Sequence, residues 1–193
     1  RAALNPEDKF FSNWTTDKLV AILDDMGNEK SQFVEKPPTR AIIDICNNQM
    51  YYAPKAELEA KGKCFVEPEI VLVTTNVKDL DARAYSNCPY SVQRRMDLVM
   101  TVKCKKKFQR IVDGTPCGVD ANKIREHYTN DEGEYEPDII DDIWNITVEK
   151  AISPGKGKLS EAGTYEPIKW RGKLMKDVPA SVAISCAIEY FHQ

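Results

Sequence analysis

The sequence predicts an α/β protein, a parallel sheet flanked by helices, with a less regular α+β extension behind it. Two observations point to the sheet. Leu19-Val20-Ala21-Ile22-Leu23 and, about fifty residues on, Ile70-Val71-Leu72-Val73-Thr74-Thr75 are short, apolar and partly β-branched. The second reads as a central strand buried on both faces. A third observation gives the sheet a working end. Each run closes on polar groups at its carboxyl end, Asp24-Asp25 and Asn76, where open α/β sheets bind ligands.

The elements follow in order. Phe10-Phe11-Ser12-Asn13-Trp14 precedes a turn and the strand 18–23, which Gly27 and Asn28 break. A loop ends in Pro37-Pro38, and Thr39 is the expected N-cap of a helix to about Met50, with Ile42, Ile43, Cys46 and Met50 on one face. Pro54 to Gly62 reads as a short helix ended by glycine, with Lys61 near its C-terminus. The strand 70–75 comes next, then a strand over 97–103 in which Leu98, Met100 and Val102 alternate. A helix is expected from near Asp120, an acidic, turn-rich stretch over 129–138, a segment of ambiguous period over 139–150, and a loop over 153–158. The last element is a helix capped by Asp177 with Pro179 in its first turn. Ser181, Ser185, Glu189 and His192 make its narrow polar stripe, so burial on most sides is expected, against its own domain or a neighbouring subunit. The chain shows no internal repeat.

At 193 residues, 42% hydrophobic and 30% charged, the chain can build a real core. A net charge of −3 argues against a wholly basic nucleic-acid binder, but the charges segregate. Residues 94–110 carry Arg94, Arg95, Lys103, Lys105, Lys106, Lys107 and Arg110 against Asp97 alone, while 126–142 are acidic without Lys or Arg. Two solvated faces of opposite sign are the plain reading. Six scattered cysteines without a C-x-x-C pair fit a reducing compartment. Zinc held by Cys88, Cys104, Cys117 and His127 would match no standard module. Signal peptide and transmembrane patterns are lacking. The chain opens on Arg1-Ala2-Ala3-Leu4 without an initiator methionine, which suggests excision from something longer.

Acid pairs at strand ends, an asparagine after a strand and an arginine pair are each common structural features. Their order makes them specific. A nucleoside triphosphatase needs one acid in its magnesium shell, a second beside it to orient or deprotonate the attacking water, a polar sensor, and arginines that reach a phosphate. Asp24, Asp25, Asn76 and Arg94-Arg95 occur in that order.

Leu23-Asp24-Asp25-Met26-Gly27, Leu58 to Phe65, Val71 to Asn76 and Gln93-Arg94-Arg95-Met96-Asp97 resemble the ordered motifs of superfamily 3 helicases. The similarity is greatest to the NTPase/RNA helicases of picorna-like positive-strand RNA viruses. It covers residues 9–108 well and 109–193 loosely. The resemblance implies a partial AAA+-like domain over 1–108 (Walker B to arginine fingers) and a C-terminal extension over 109–193 whose last helix packs between subunits. By that resemblance Asp24 holds Mg²⁺, Asp25 positions or deprotonates water, and Asn76 senses the γ-phosphate of ATP. Arg94 and Arg95 become fingers offered in trans within a homo-oligomeric ring, a hexamer. Lys61, Lys63 and Phe65 fall in the pore loop that grips single-stranded RNA, although Lys61 and Lys63 also read as a solvated helix end. The implied setting is the host cytoplasm, on membrane-associated replication complexes with other viral replication proteins, host membranes being reached through other regions.

One departure matters. No segment fits the Walker A loop G-x-x-x-x-G-K-[ST]. Gly155-Lys156-Gly157-Lys158-Leu159-Ser160 lacks the first glycine at the required spacing and a Ser or Thr after Lys158. The expectation is a fragment that hydrolyses no ATP alone. The alternative is an RNA-binding or assembly scaffold using 94–110 and the last helix. Gln193 at the end resembles a viral 3C-like protease site, or is an arbitrary end.

Overall fold

The computed structural model describes residues 1–135, 143–158 and 160–192, with Ser31 described by its backbone alone. The ambiguous residues Ile139 and Ile140, the acids of 136–142, Leu159 and Gln193 lie outside the described residues. The chain forms two compact units: Arg1–Met96 with Ile152–Thr164, and Asp97–Ala151 with Tyr165–Gln193. The strand expected over 97–103 and the basic run after it belong to the second unit.

In the first unit, β1 (Ala2–Ala3), β2 (Val20–Leu23) and β3 (Ile70–Val73) make a parallel sheet in that order. Val20 pairs with Ile70 and Leu23 with Val73, so the two apolar runs stand in register and end level. Ala21 and Leu23 are fully buried, packed with Leu4, Phe11, Trp14, Met26, Ile42, Ile45, Ala53, Val66 and Leu80. Between β2 and β3 runs α1 (Pro38–Ile45). Pro38 takes its first position, so Thr39 lies inside the helix, buried, and caps nothing. The helix also stops before Met50. The Asn47 side chain accepts the Asn48 N–H (3.0 Å), a local bond that competes with the helical ladder. Ile42 and Ile45 therefore face the core, while Met50 is exposed.

Two further expectations are corrected here. β3 is no central strand. It forms an edge of the sheet among the described residues, and Ile70 (47%) and Leu72 (51%) remain exposed. The helix expected over 54–62 shrinks to a 3-10 turn at Leu58–Ala60. Its one large apolar residue, Leu58, is exposed, so no stripe holds a longer helix to the core. The flanks pair instead: Ala53 N–H donates to Cys64 O and Val66 N–H to Tyr51 O, both at 2.8 Å, leaving 54–63 as a loop. The unit is completed by α2 (Ala82–Tyr85) and α3 (Pro89–Gln93).

The second unit holds β4 (Val99–Cys104), β5 (Gln109–Val112), β6 (Thr115–Val119), α4 (Ala121–Tyr128), β7 (Trp144–Ile152), β8 (Thr164–Pro167), β9 (Lys169–Trp170), β10 (Lys173–Leu174) and α5 (Ala180–Phe191). β7 lies between β4 and β8, β5 pairs with β6, and β9 with β10. The described part of the ambiguous segment is thus a strand. Met100 stands opposite Val148 and Val102 opposite Ile146, yet Met100 (38%) and Val102 (53%) remain exposed, and of the three alternating residues Leu98 packs against the core of Ile146, Val148, Met175, Ala183 and Cys186. On the other face Thr101 donates to the buried Glu149 carboxylate (2.6 Å). Asp120 caps α4 as expected, accepting from Asn122 N–H (3.1 Å) and Lys123 N–H (3.3 Å).

Asp177 does not cap α5. Val178 precedes Pro179 and is disfavoured in helical conformation, so the helix begins only at Ala180. Asp177 donates its N–H to Thr147 Oγ1 (3.2 Å) instead. Ala183 and Cys186 are buried, whereas Ile184, Ile188 and Phe191 form an exposed stripe. Burial on most sides is therefore not what this chain provides by itself. Among the described residues no helix is long and apolar enough to cross a membrane.

Candidate functional site

The level ends of β2 and β3 bring the predicted acids and the asparagine together. Beyond the last strand pair, Thr74 N–H donates to Leu23 O (3.0 Å) and Met26 N–H to Thr74 O (2.8 Å), so the parallel ladder runs one step further. Asp24 and Asp25 lie within that step. Asp25 adopts a left-handed backbone (φ +53°), which aspartate tolerates better than most residues. Gly27 follows at φ +75°, and a Cβ there would stand 3.4 Å from the Leu80 backbone, so the turn needs glycine.

The side chains separate into two groups around this turn. The Thr74 hydroxyl donates to Asp24 Oδ1 and accepts the Asp25 N–H (2.8 Å). Asn76 Nδ2 donates to Asp25 Oδ1 and to Asn28 Oδ1, both at 3.3 Å, while Asn28 Nδ2 donates to the same Asp25 oxygen. Asp25, Asn28 and Asn76 thereby close a ring of hydrogen bonds. Thr75 anchors the next turn by donating to Met26 O (2.6 Å).

A cleft of about 220 Å³ opens here, its lining including Asn5, Asp24, Asp25, Gly27, Asn28 and Tyr85. Tyr85 has a buried hydroxyl with no partner among the described residues. Burial, and then the charges of Asp81 and Glu29, push its phenol above the usual value, so it stays a neutral donor on the cleft wall.

The remaining candidates lie at other places. Arg94 follows α3 and is exposed. Arg95 folds back: its Nη1 donates to Ser91 O, and its Nε is buried without a partner among the described residues. Lys61 and Lys63 are exposed in the 54–63 loop, with Gly62 between them in a left-handed turn. Phe65 is half-buried, its ring 4.7 Å from that of Tyr52, while its carbonyl accepts from Trp14 Nε1 (2.7 Å). Among the described residues no three His, Cys, Asp or Glu gather as a metal cage, the set Cys88, Cys104, Cys117 and His127 included.

Sequence reasoning missed Thr74 and Asn28. Thr74 was legible in principle: once Leu23 and Val73 are aligned, Thr74 must stand opposite Asp24. Asn28 reads from the sequence only as a strand breaker.

A family model described as RNA helicase matches residues 2–77, less than half of the chain. The matched stretch takes in β1 to β3 with Asp24, Asp25, Thr74 and Asn76, and stops before the arginine pair. No curated protein matches the chain. The match supports an RNA helicase relationship for that stretch.

Proposed function

We propose that the chain is part of an ATP-hydrolysing RNA helicase of superfamily 3 from a positive-strand RNA virus, and that it carries the second half of the nucleotide site. The observation behind this reading is the convergence of Asp24, Asp25 and Asn76 at the carboxyl ends of adjacent parallel strands, inside the stretch that matches RNA helicases.

The donor set fits magnesium. This ion keeps several waters and takes one or two carboxylates plus substrate phosphates, so a full protein cage is not required. Asp24 presents such a carboxylate on the cleft, with one oxygen fixed by Thr74. When bound, Mg²⁺ supplies charge neutralisation at the phosphates of ATP. Asp25 has Oδ1 occupied by two amide donors. It therefore offers its second oxygen to a water, which it orients or deprotonates. Asn76 holds that carboxylate with one N–H and Asn28 with the other, so it contacts a phosphate only by releasing one of them. Arg94 is the finger offered in trans to the next subunit of a ring, a hexamer. Arg95 joins it only by releasing Ser91. Lys61 and Lys63, with Phe65 further along the same segment, contact single-stranded RNA. The setting would be membrane-associated replication complexes in the host cytoplasm, with other viral replication proteins.

The test is ATPase activity of this chain beside a chain extended upstream by about 60 residues, enough for a phosphate-binding loop with its strand and helix. Turnover is expected only in the extended chain. There, Asp25→Asn should abolish it while nucleotide binding persists. Unchanged turnover in Asp25→Asn would refute the role given to that acid. Absence of turnover in both chains would favour an RNA-binding or assembly scaffold.

A further inference from the structure

We infer that Thr74 is a positioning residue that sets the two acids to separate tasks, an inference that rests on the nucleotide-site reading above. Adjacent carboxylates on an extended strand point to opposite faces of the sheet. To serve one cleft, the chain must turn between Asp24 and Asp25, and the turn takes the Asp25 N–H out of the ladder. Thr74 resolves both problems with one hydroxyl. It accepts that stray N–H at 2.8 Å and donates its own proton to Asp24 Oδ1. Its backbone meanwhile carries the ladder past the turn, to Leu23 on one side and Met26 on the other.

Among the described residues the hydroxyl is therefore the one group bonded to both acids. It fixes the Asp24 carboxylate for metal binding and holds the left-handed backbone of Asp25. The Asp25 side chain is thereby delivered to Asn28 and Asn76 instead of to Asp24. Valine has the same shape but neither bond. Serine keeps both bonds and loses only a methyl group.

In the full-length helicase, Thr74→Val should lower kcat 10–100-fold, the range seen when a group orienting a metal ligand is removed. It should also raise the Mg²⁺ concentration for half-maximal rate, while KM for ATP stays within about twofold. Thr74→Ser should recover kcat to within about threefold. A merely structural threonine would leave the Mg²⁺ dependence unmoved. Wild-type kcat and Mg²⁺ dependence in Thr74→Val, with Asp25→Asn inactive, would overturn the inference and spare the site. Normal turnover in both variants would overturn the nucleotide-site reading, and the inference with it. A measurement on the unaltered 193-residue chain needs no variant to fold. Amide exchange should find the Asp25 N–H protected alongside that of Met26. Rapid exchange at Asp25 beside a protected Met26 would overturn the inference.

Discussion

Next to the arginine pair in sequence, Gln93 forms with Gly163 a clamp that Gly163→Ala should break. Gln93, the last residue of α3, is buried, and its side chain makes two bonds to one glycine. Gly163 N–H donates to Gln93 Oε1 at 2.7 Å, and Gln93 Nε2 donates to Gly163 O at 3.3 Å. A Cβ on Gly163 would lie 2.4 Å from Ile152 O and 2.8 Å from Tyr90 Cδ2. The carbonyl belongs to the backbone and cannot rotate aside, so the segment itself must shift. Overpacking of this kind costs about 1–3 kcal/mol. The shift also strands a buried amide, at about 1–3 kcal/mol more. The sum, about 2–6 kcal/mol, moves a urea midpoint by about 1–3 M at a slope of ~2 kcal/mol per M. Trp14, buried in the same unit, reports the transition by fluorescence once Trp144 and Trp170 are replaced by Phe. Gln93→Ala combined with Gly163→Ala should cost less than the two single changes added together, because they break the same bonds. A midpoint within about 0.3 M of wild type for Gly163→Ala would refute the clamp.

Three further outcomes are expected. Iodoacetamide at pH 8 should label the exposed Cys117 first and leave Cys186 until the chain is denatured, as read by peptide mass mapping. Burial, and then the charge of Glu189, push the Cys186 thiol up. The folded state thus holds that proton more tightly than the unfolded chain, and this contribution to stability is lost as pH rises past the ordinary thiol value. Charge reversal of the exposed Lys103, Lys106 and Arg110 should flatten the salt dependence of single-stranded RNA binding by about 2 in log–log slope if all three meet phosphates. An unchanged slope would remove this face from the RNA path. Ile188→Asp should leave stability within about 0.5 kcal/mol, because Ile188 is exposed, and should weaken the ring association proposed above, as read by sedimentation. Loss of folding would show that α5 packs differently.

The parts of the fold that were legible share one property: their signal is local. The runs of β2 and β3 declare themselves by composition, and Asp120 by its place before a helical segment. The errors occur where a neighbour decides. Thr39 resembles a cap until Pro38 takes the first helical position, and Asp177 until Pro179 forbids Val178 a helical backbone. Leu58 marks no helix, because the surrounding residues give it nothing to pack against. The exposure of Ile70 and Leu72 was not legible either, since an apolar run looks the same whether or not another element covers it. The hairpin of β5 and β6, with most of its residues exposed, carries too little alternation to be recognised.

The candidate site was legible for a stronger reason, and its geometry sets the missed threonine beside both acids. Parallel strands fix register over their whole length, because a slip of one residue would send every side chain of β3 to the opposite face. With Val20 on Ile70 and Leu23 on Val73, Asp24 must stand level with Thr74 and Asp25 with Thr75. Had the chain stayed extended, Asn76 would lie one residue past Asp25 and could not meet it side by side. The left-handed turn at Asp25 and the glycine two residues on bring the acid back to the asparagine. Acid pair and asparagine are thus compatible only with a turn, and the turn frees an N–H that needs an acceptor. Of the two hydroxyls that register supplies, Thr75 is engaged with Met26, and Thr74 accepts that N–H.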